Sequence, residues 1–134
     1  MPHCVILYTP NLEGKADVGA LCRKLADSML TVLDEAGKQV FPTGGTRVLA
    51  YPATHYAVAD GKGDYAFLYV NVRMGAGRSE AVKKKAGDQL LDVVKAHCAP
   101  FFDQSLVGIT LQIDESPGQV YDGKHSTLHP LFNK

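Results

Sequence analysis

The chain reads as an α/β fold in which two βαβ units merge into a four-stranded sheet with two helices on one face. Three observations carry that reading: four extended apolar runs, two helical stripes of apolar residues, and the order strand, helix, strand, given twice. Parallel strands joined through a helix pack back on their own sheet with one hand, so each unit places its helix on a defined side.

The first run, His3-Cys4-Val5-Ile6-Leu7-Tyr8, predicts a strand that ends at Thr9-Pro10-Asn11. Val18, Leu21, Cys22, Leu25, Met29, Val32 and Leu33 then recur at threes and fours, which predicts a helix stopping near Gly37. Phe41-Pro42-Thr43-Gly44-Gly45 turns the chain into a second strand over residues 46–51. A connection through His55 and Asp60-Gly61-Lys62-Gly63-Asp64 leads to the long strand of residues 65–74. Gly75-Ala76-Gly77-Arg78-Ser79 breaks that strand, and Ser79 is placed to cap a second helix marked by Val82, Ala86, Leu90, Val93, Val94, His97 and Phe101, with Pro100 near its end. Residues 106–113 alternate as a fourth strand before Ser116-Pro117-Gly118 and a tail to Lys134. The expected organisation is a single domain over 1–134, with a pseudo-repeat at 2–57 and 64–114 and a tail at 115–134. Helices on one face leave the other face of the sheet uncovered, and self-association is the simplest cover for its apolar side chains.

At 134 residues the chain suits one domain with a real core. Fourteen basic residues balance fourteen acidic ones, so no global field gathers nucleic acid or an anionic membrane. No stretch approaches the length of a membrane span and no signal-peptide pattern opens the chain, so a soluble, cytoplasmic protein is expected. Cys4, Cys22 and Cys98 each lie in apolar sequence and read as reduced core thiols.

Pro2 is the most informative residue. Once Met1 is removed its nitrogen is a secondary amine, able to act as a general base if burial or nearby cations hold it unprotonated. The alternative is an ordinary start followed by proline, and the strand that begins at once argues that the chain end is fixed in the fold. Residues 75–79 join a strand to a helix start, where free N–H groups favour an anion and Arg78 adds a planar fork for a carboxylate; the alternative is a glycine-rich turn with a solvated arginine. The spacing is not a nucleotide fingerprint, because Glu80 stands where a third glycine is needed. Arg47, after Gly44-Gly45 at a strand start, can point into a cleft, whereas Arg73 inside the long strand suits a solvated or subunit-facing role. His125 and His129 have a helical ligand spacing, but Pro130 and the lack of an adjacent third ligand favour tail packing over a metal site. His97 reads as a satisfied core or interface histidine, and His3 and His55 are both candidates to approach a site. Lys83-Lys84-Lys85 reads as a solvated face close enough to Arg78 to add positive potential.

The opening Met1-Pro2-His3, Phe41-Pro42-Thr43-Gly44-Gly45-Thr46-Arg47, Ala59-Asp60-Gly61 through Asp64-Tyr65-Ala66-Phe67, Gly75-Ala76-Gly77-Arg78-Ser79 and the closing Leu128-His129-Pro130-Leu131-Phe132 together resemble the 5-carboxymethyl-2-hydroxymuconate isomerase family of the tautomerase superfamily, in order and in spacing. The resemblance implies a tautomerase-like homotrimer, with Pro2 as the catalytic proton carrier and Arg47 and Arg78 holding substrate carboxylates. It implies ketonisation of a carboxylated dienol in homoprotocatechuate breakdown, with no cofactor and no metal; the balanced charge adds the expectation of no nucleic-acid or membrane partner. The same fold and proline would also serve a phenylpyruvate-type keto-enol tautomerase, a dehalogenase or a non-catalytic trimeric binding protein. Family members can carry a further arginine two residues after the Arg47 position, where this chain has Leu49.

Overall fold

The computed structural model describes residues 3–132. The strands are β1 (His3–Tyr8), β2 (Val48–Pro52), β3 (Tyr65–Gly75) and β4 (Leu106–Ser116), and the helices are α1 (Val18–Met29), α2 (Glu80–Phe102) and the short α3 (His129–Phe132). Among the described residues the strands form a four-stranded sheet in the order β2-β1-β3-β4. β1 and β2 are parallel, as are β3 and β4, and the two βαβ halves join through the antiparallel β1/β3 pair. This is the architecture the sequence predicts.

Alternation along the strands divides the sheet into two faces. Cys4, Ile6 and Tyr8 of β1 and Ala66, Leu68, Val70, Val72 and Met74 of β3 are buried, and the register sets Cys4 against Val72, Ile6 against Val70 and Tyr8 against Leu68. Over that face lie Leu21, Leu25 and Met29 of α1 and Val82, Ala86, Leu90, Val94 and Cys98 of α2, the last five spaced at every fourth residue. Asp17 caps α1 by accepting from the Ala20 N–H at 3.3 Å, and Ser79 Oγ caps α2 by accepting from the Val82 N–H at 3.2 Å. Between the helices the His97 ring is held by Lys24 Nζ at Nδ1 (3.0 Å) and by the carbonyls of Ala16 and Asp17 at Nε2. The ammonium can only donate, so Nδ1 accepts and Nε2 carries the hydrogen: a satisfied histidine, as expected.

α1 ends at Met29 and does not run on through Leu33 toward Gly37. Thr31 Oγ1 donates back to the Ser28 carbonyl at 2.7 Å, and the chain then doubles back on itself. The Val40 N–H donates to Val32 O, the Asp34 N–H donates to Lys38 O, and Leu33 bridges Gln39. The Asp34 carboxylate accepts from the Ala36 and Lys38 amides, each at 2.9 Å, and Gly37 takes φ +77° at the tip. Val32 and Leu33 mimic a helical stripe because a tight hairpin also buries one of two neighbours: Val32 is fully buried and Leu33 is 41% exposed.

Smaller shifts occur at the strand ends. β2 begins at Val48, because Thr46 is held in the preceding turn by Oγ1 donating to Pro42 O at 2.8 Å. β4 runs on to Ser116, since β3 is long enough to pair it up to Gly75. Pro100 lies inside the last turn of α2, which closes at Phe102. Among the described residues no helix is long and apolar enough to cross a membrane.

The face away from the helices is open. Leu7, Leu49, Tyr51, Phe67 and Leu106 are each more than one-third exposed there. The Phe67 ring lies over Gly108, where an added Cβ would come within 2.9 Å of it, so the glycine makes room for a cross-strand aromatic.

Candidate active site

Strand directions bring the sequence candidates to one end of the sheet. Cys4 is level with Val48, His3 with Arg73, Arg73 with Asp114, and Gly75 with Ser116. The start of β1, the residues entering β2 and the loop leaving β3 therefore share that end. Pro2 itself lies outside the described residues, one position before the strand that is described from His3.

Arg47 is fixed at this end by its backbone, since its carbonyl accepts from the Cys4 N–H at 2.9 Å. Its Nη1 reaches Gly45 O at 3.5 Å, and it borders a cavity of about 570 Å³ together with Cys22, Arg23, Thr43, Thr46 and Leu128. The turn that delivers Arg47 is braced by the tail. An added Cβ on Gly44 would stand 3.3 Å from the His129 Cα, so α3 rests on glycine where a larger residue would push it off. His129 Nδ1 pairs with Ser126 Oγ at 2.8 Å, whereas His125 is exposed. Tail packing is thus what His129 does. The described residues hold no group of three or more His, Cys, Asp or Glu placed to bind a metal.

Arg78 sits in the loop before α2, after Gly77 at φ +109°. Its Nη2 donates to Val40 O at 3.0 Å, and its Nε is buried without a hydrogen-bond partner among the described residues. Ser79 Oγ donates to Glu35 Oε2 at 2.5 Å, so the 32–40 hairpin holds both Arg78 and the α2 cap. That hairpin was invisible behind the helical spacing of Val32 and Leu33, and with it the brace on Arg78. The lysine run does not extend the positive field as expected. Lys83 lies between Glu80 (2.7 Å) and Glu115 (3.0 Å), and Lys84 pairs with Asp88 at 2.6 Å.

His3 is half-buried beside two arginines. Burial, then the Arg47 and Arg73 guanidiniums, hold its imidazole below the usual histidine range, and its buried Nδ1 has no partner among the described residues. His55 is exposed in the connection after β2, at the opposite end of the sheet from His3, so the fold of one chain separates the two. The thiols are free: burial pushes Cys4 up to about 12 and raises Cys22 and Cys98 as well, which makes them poor nucleophiles. At the far end of the sheet Tyr8 donates to Glu13 Oε1 at 2.5 Å, and that bond, with burial, pushes the phenol up to about 12.

An end of a sheet that gathers arginines is suited to orient a small polycarboxylate. The family model for 5-carboxymethyl-2-hydroxymuconate isomerase matches residues 2–132. The chain belongs to this family. It is 28% identical over 132 residues to the 5-carboxymethyl-2-hydroxymuconate Delta-isomerase of Escherichia coli, covering 98% of this chain and 99% of that one. A crystal structure of a 5-carboxymethyl-2-hydroxymuconate delta-isomerase superposes with a TM-score of 0.94 at 56% identity, covering 100% of this chain and 94% of that one. A 5-carboxymethyl-2-hydroxymuconate isomerase from Deinococcus radiodurans R1 gives 0.85 at 34% identity, over 99% and 95%. At the level of fold alone the likeness extends to a fused 4-OT described as an asymmetric trimer, with a TM-score of 0.60 at 17% identity over 98% of this chain and 99% of that one. As a member of the isomerase family the chain is an enzyme.

Proposed function

We propose that this isomerase ketonises a 2-hydroxymuconate-type dienol, 5-carboxymethyl-2-hydroxymuconate, with the amino-terminal nitrogen of Pro2 as acid and base. The observation that carries the reading is the meeting of the β1 start, Arg47 and the Arg78 loop at one end of the sheet, in a chain whose family match begins at Pro2. Pro2 nitrogen takes the proton of the 2-hydroxyl, the conjugated electrons shift as the enol oxygen becomes a carbonyl, and the prolinium returns a proton to the far end of the conjugated chain. Atoms and charge balance with no added reactant, so no cofactor or metal is invoked. Arg47 and Arg78 pair with carboxylates, hold the dienol flat beside the amine, and stabilise the negative charge that builds as the dienolate forms. Their charge also draws the amine down from the value of about 8 ordinary for an α-amino group, toward a base active near neutrality.

The open face supports assembly as a homotrimer. Leu7, Leu49, Tyr51 and Phe67 form an apolar surface on a sheet whose other side is already packed, and a closed ring of copies is the economical way to cover it. Three buried or half-buried free thiols agree with a reducing, cytoplasmic setting in homoprotocatechuate breakdown. The test is the loss of dienol absorbance when 5-carboxymethyl-2-hydroxymuconate meets untagged protein whose mass shows Met1 removed. Ketonisation far above the buffer rate is expected, and a rate equal to buffer would discard this substrate.

A further inference from the structure

The substrate just proposed carries three carboxylates, and Arg47 and Arg78 account for two. The structure holds another guanidinium at the same end of the sheet. Arg73 lies on β3 directly opposite His3 of β1, and both belong to the face turned away from the helices. Cross-strand partners on one face keep their Cβ atoms about 4.5–5.5 Å apart, so the two side chains leave the sheet together.

Their surroundings are unusual for a surface pair. The Arg73 side chain is exposed and makes no ion pair or hydrogen bond among the described residues. Its acidic register partner on β4, Asp114, accepts instead from Asn71 Nδ2 at 2.8 Å, and the next acid, Glu115, is taken by Lys83. His3 brings a neutral ring with one nitrogen buried and unpaired. A carboxylate placed between them would meet one full positive charge and a ring able to donate. The position is rigid as well, since both residues stand on paired strands and not on a loop.

We propose that Arg73 and His3 form a carboxylate subsite that receives one of the three carboxylates of the substrate and so sets the preference for a triacid over a diacid. The assignment rests on the dienol isomerase reading. Arg73 is a specificity-determining contact here, not a carrier of the transferred proton.

Two measurements test it. The first compares kcat/KM for 5-carboxymethyl-2-hydroxymuconate and for 2-hydroxymuconate, which lacks the carboxymethyl arm, in wild type, Arg73→Ala and Arg73→Lys. Arg73→Ala is expected to lower the triacid value by about 10- to 100-fold, the size of one charge-assisted contact, with the diacid value held within about 2-fold and Arg73→Lys restoring part of the loss. Equal losses on both substrates would overturn the subsite. The second follows the His3 ring by NMR, assigned with His3→Gln, while propane-1,2,3-tricarboxylate is added. The ring signals should move in wild type and stay still in Arg73→Ala, and a wild-type ring that does not move at saturation overturns the proposal. If wild type turns over neither dienol, the isomerase reading fails while the NMR titration still decides the anion site.

Discussion

The open face of the sheet has two ends built from the same four strands. Where β1 begins it shows His3, Asn71, Arg73, Gln112 and Asp114; where β1 finishes it shows Leu7, Tyr51, Phe67 and Leu106. Parity along a strand decides which face a side chain joins, and it is the same for both sets. Position along the strand decides the chemistry. The far end is an apolar surface that calls for a protein neighbour, and the near end is a cationic, hydrogen-bonding surface that calls for an anion. The proposed assembly and the proposed chemistry thus fall on separate ground of one sheet, a few residues apart.

The largest loss of activity is expected at Pro2. Pro2→Ala should lower kcat/KM for the dienol by about 10²- to 10⁴-fold, the range of a positioned general acid–base, while gel filtration still reports the proposed trimer. Next comes the far end. Leu7→Asp places an unpaired carboxylate in the proposed subunit contact at a cost of about 3–5 kcal/mol, so monomer should replace trimer in analytical ultracentrifugation; an intact trimer would show that this end is not the contact. Arg78→Ala removes one charge-assisted contact and should cost about 1.5–3 kcal/mol in kcat/KM with assembly intact. Ser79→Ala removes the α2 cap and the bond to Glu35, and thermal unfolding should report a loss of about 1 kcal/mol. The smallest effect is a pH dependence at His3. Its folded pKa is depressed by burial and by Arg47 and Arg73, so the unfolded chain binds the proton more readily. Stability from this group is fully present above about pH 6.5, the unfolded value, and is lost as pH falls through the lower folded value. His3→Gln should flatten that part of the urea-midpoint profile against pH.

The near end was largely legible in the sequence because its residues announce themselves locally. Gly75-Ala76-Gly77-Arg78-Ser79 stops a strand, caps a helix and carries a guanidinium within five positions, and Arg47 follows a glycine pair into a strand. What joins these segments was not local. Arg78 is oriented by the carbonyl of Val40, and the hairpin that supplies it has apolar residues at helical spacing, so periodicity assigned it to α1. The cross-strand pairing of His3 with Arg73 depends on register between runs seventy positions apart, which no spacing within either run encodes. The lysine run on α2 misled for a similar reason, because Glu115 reaches Lys83 from β4.

The claim that the secondary amine of Pro2 does the chemistry is tested most directly by one chain in two covalent states, with Met1 removed and with Met1 retained. Retention turns the Pro2 nitrogen into a tertiary amide and leaves every side chain of the sheet unchanged. Stopped-flow ketonisation, with each state verified by intact mass, should show turnover for the processed chain and a rate near buffer for the retained one. Equal turnover by both would contradict the account.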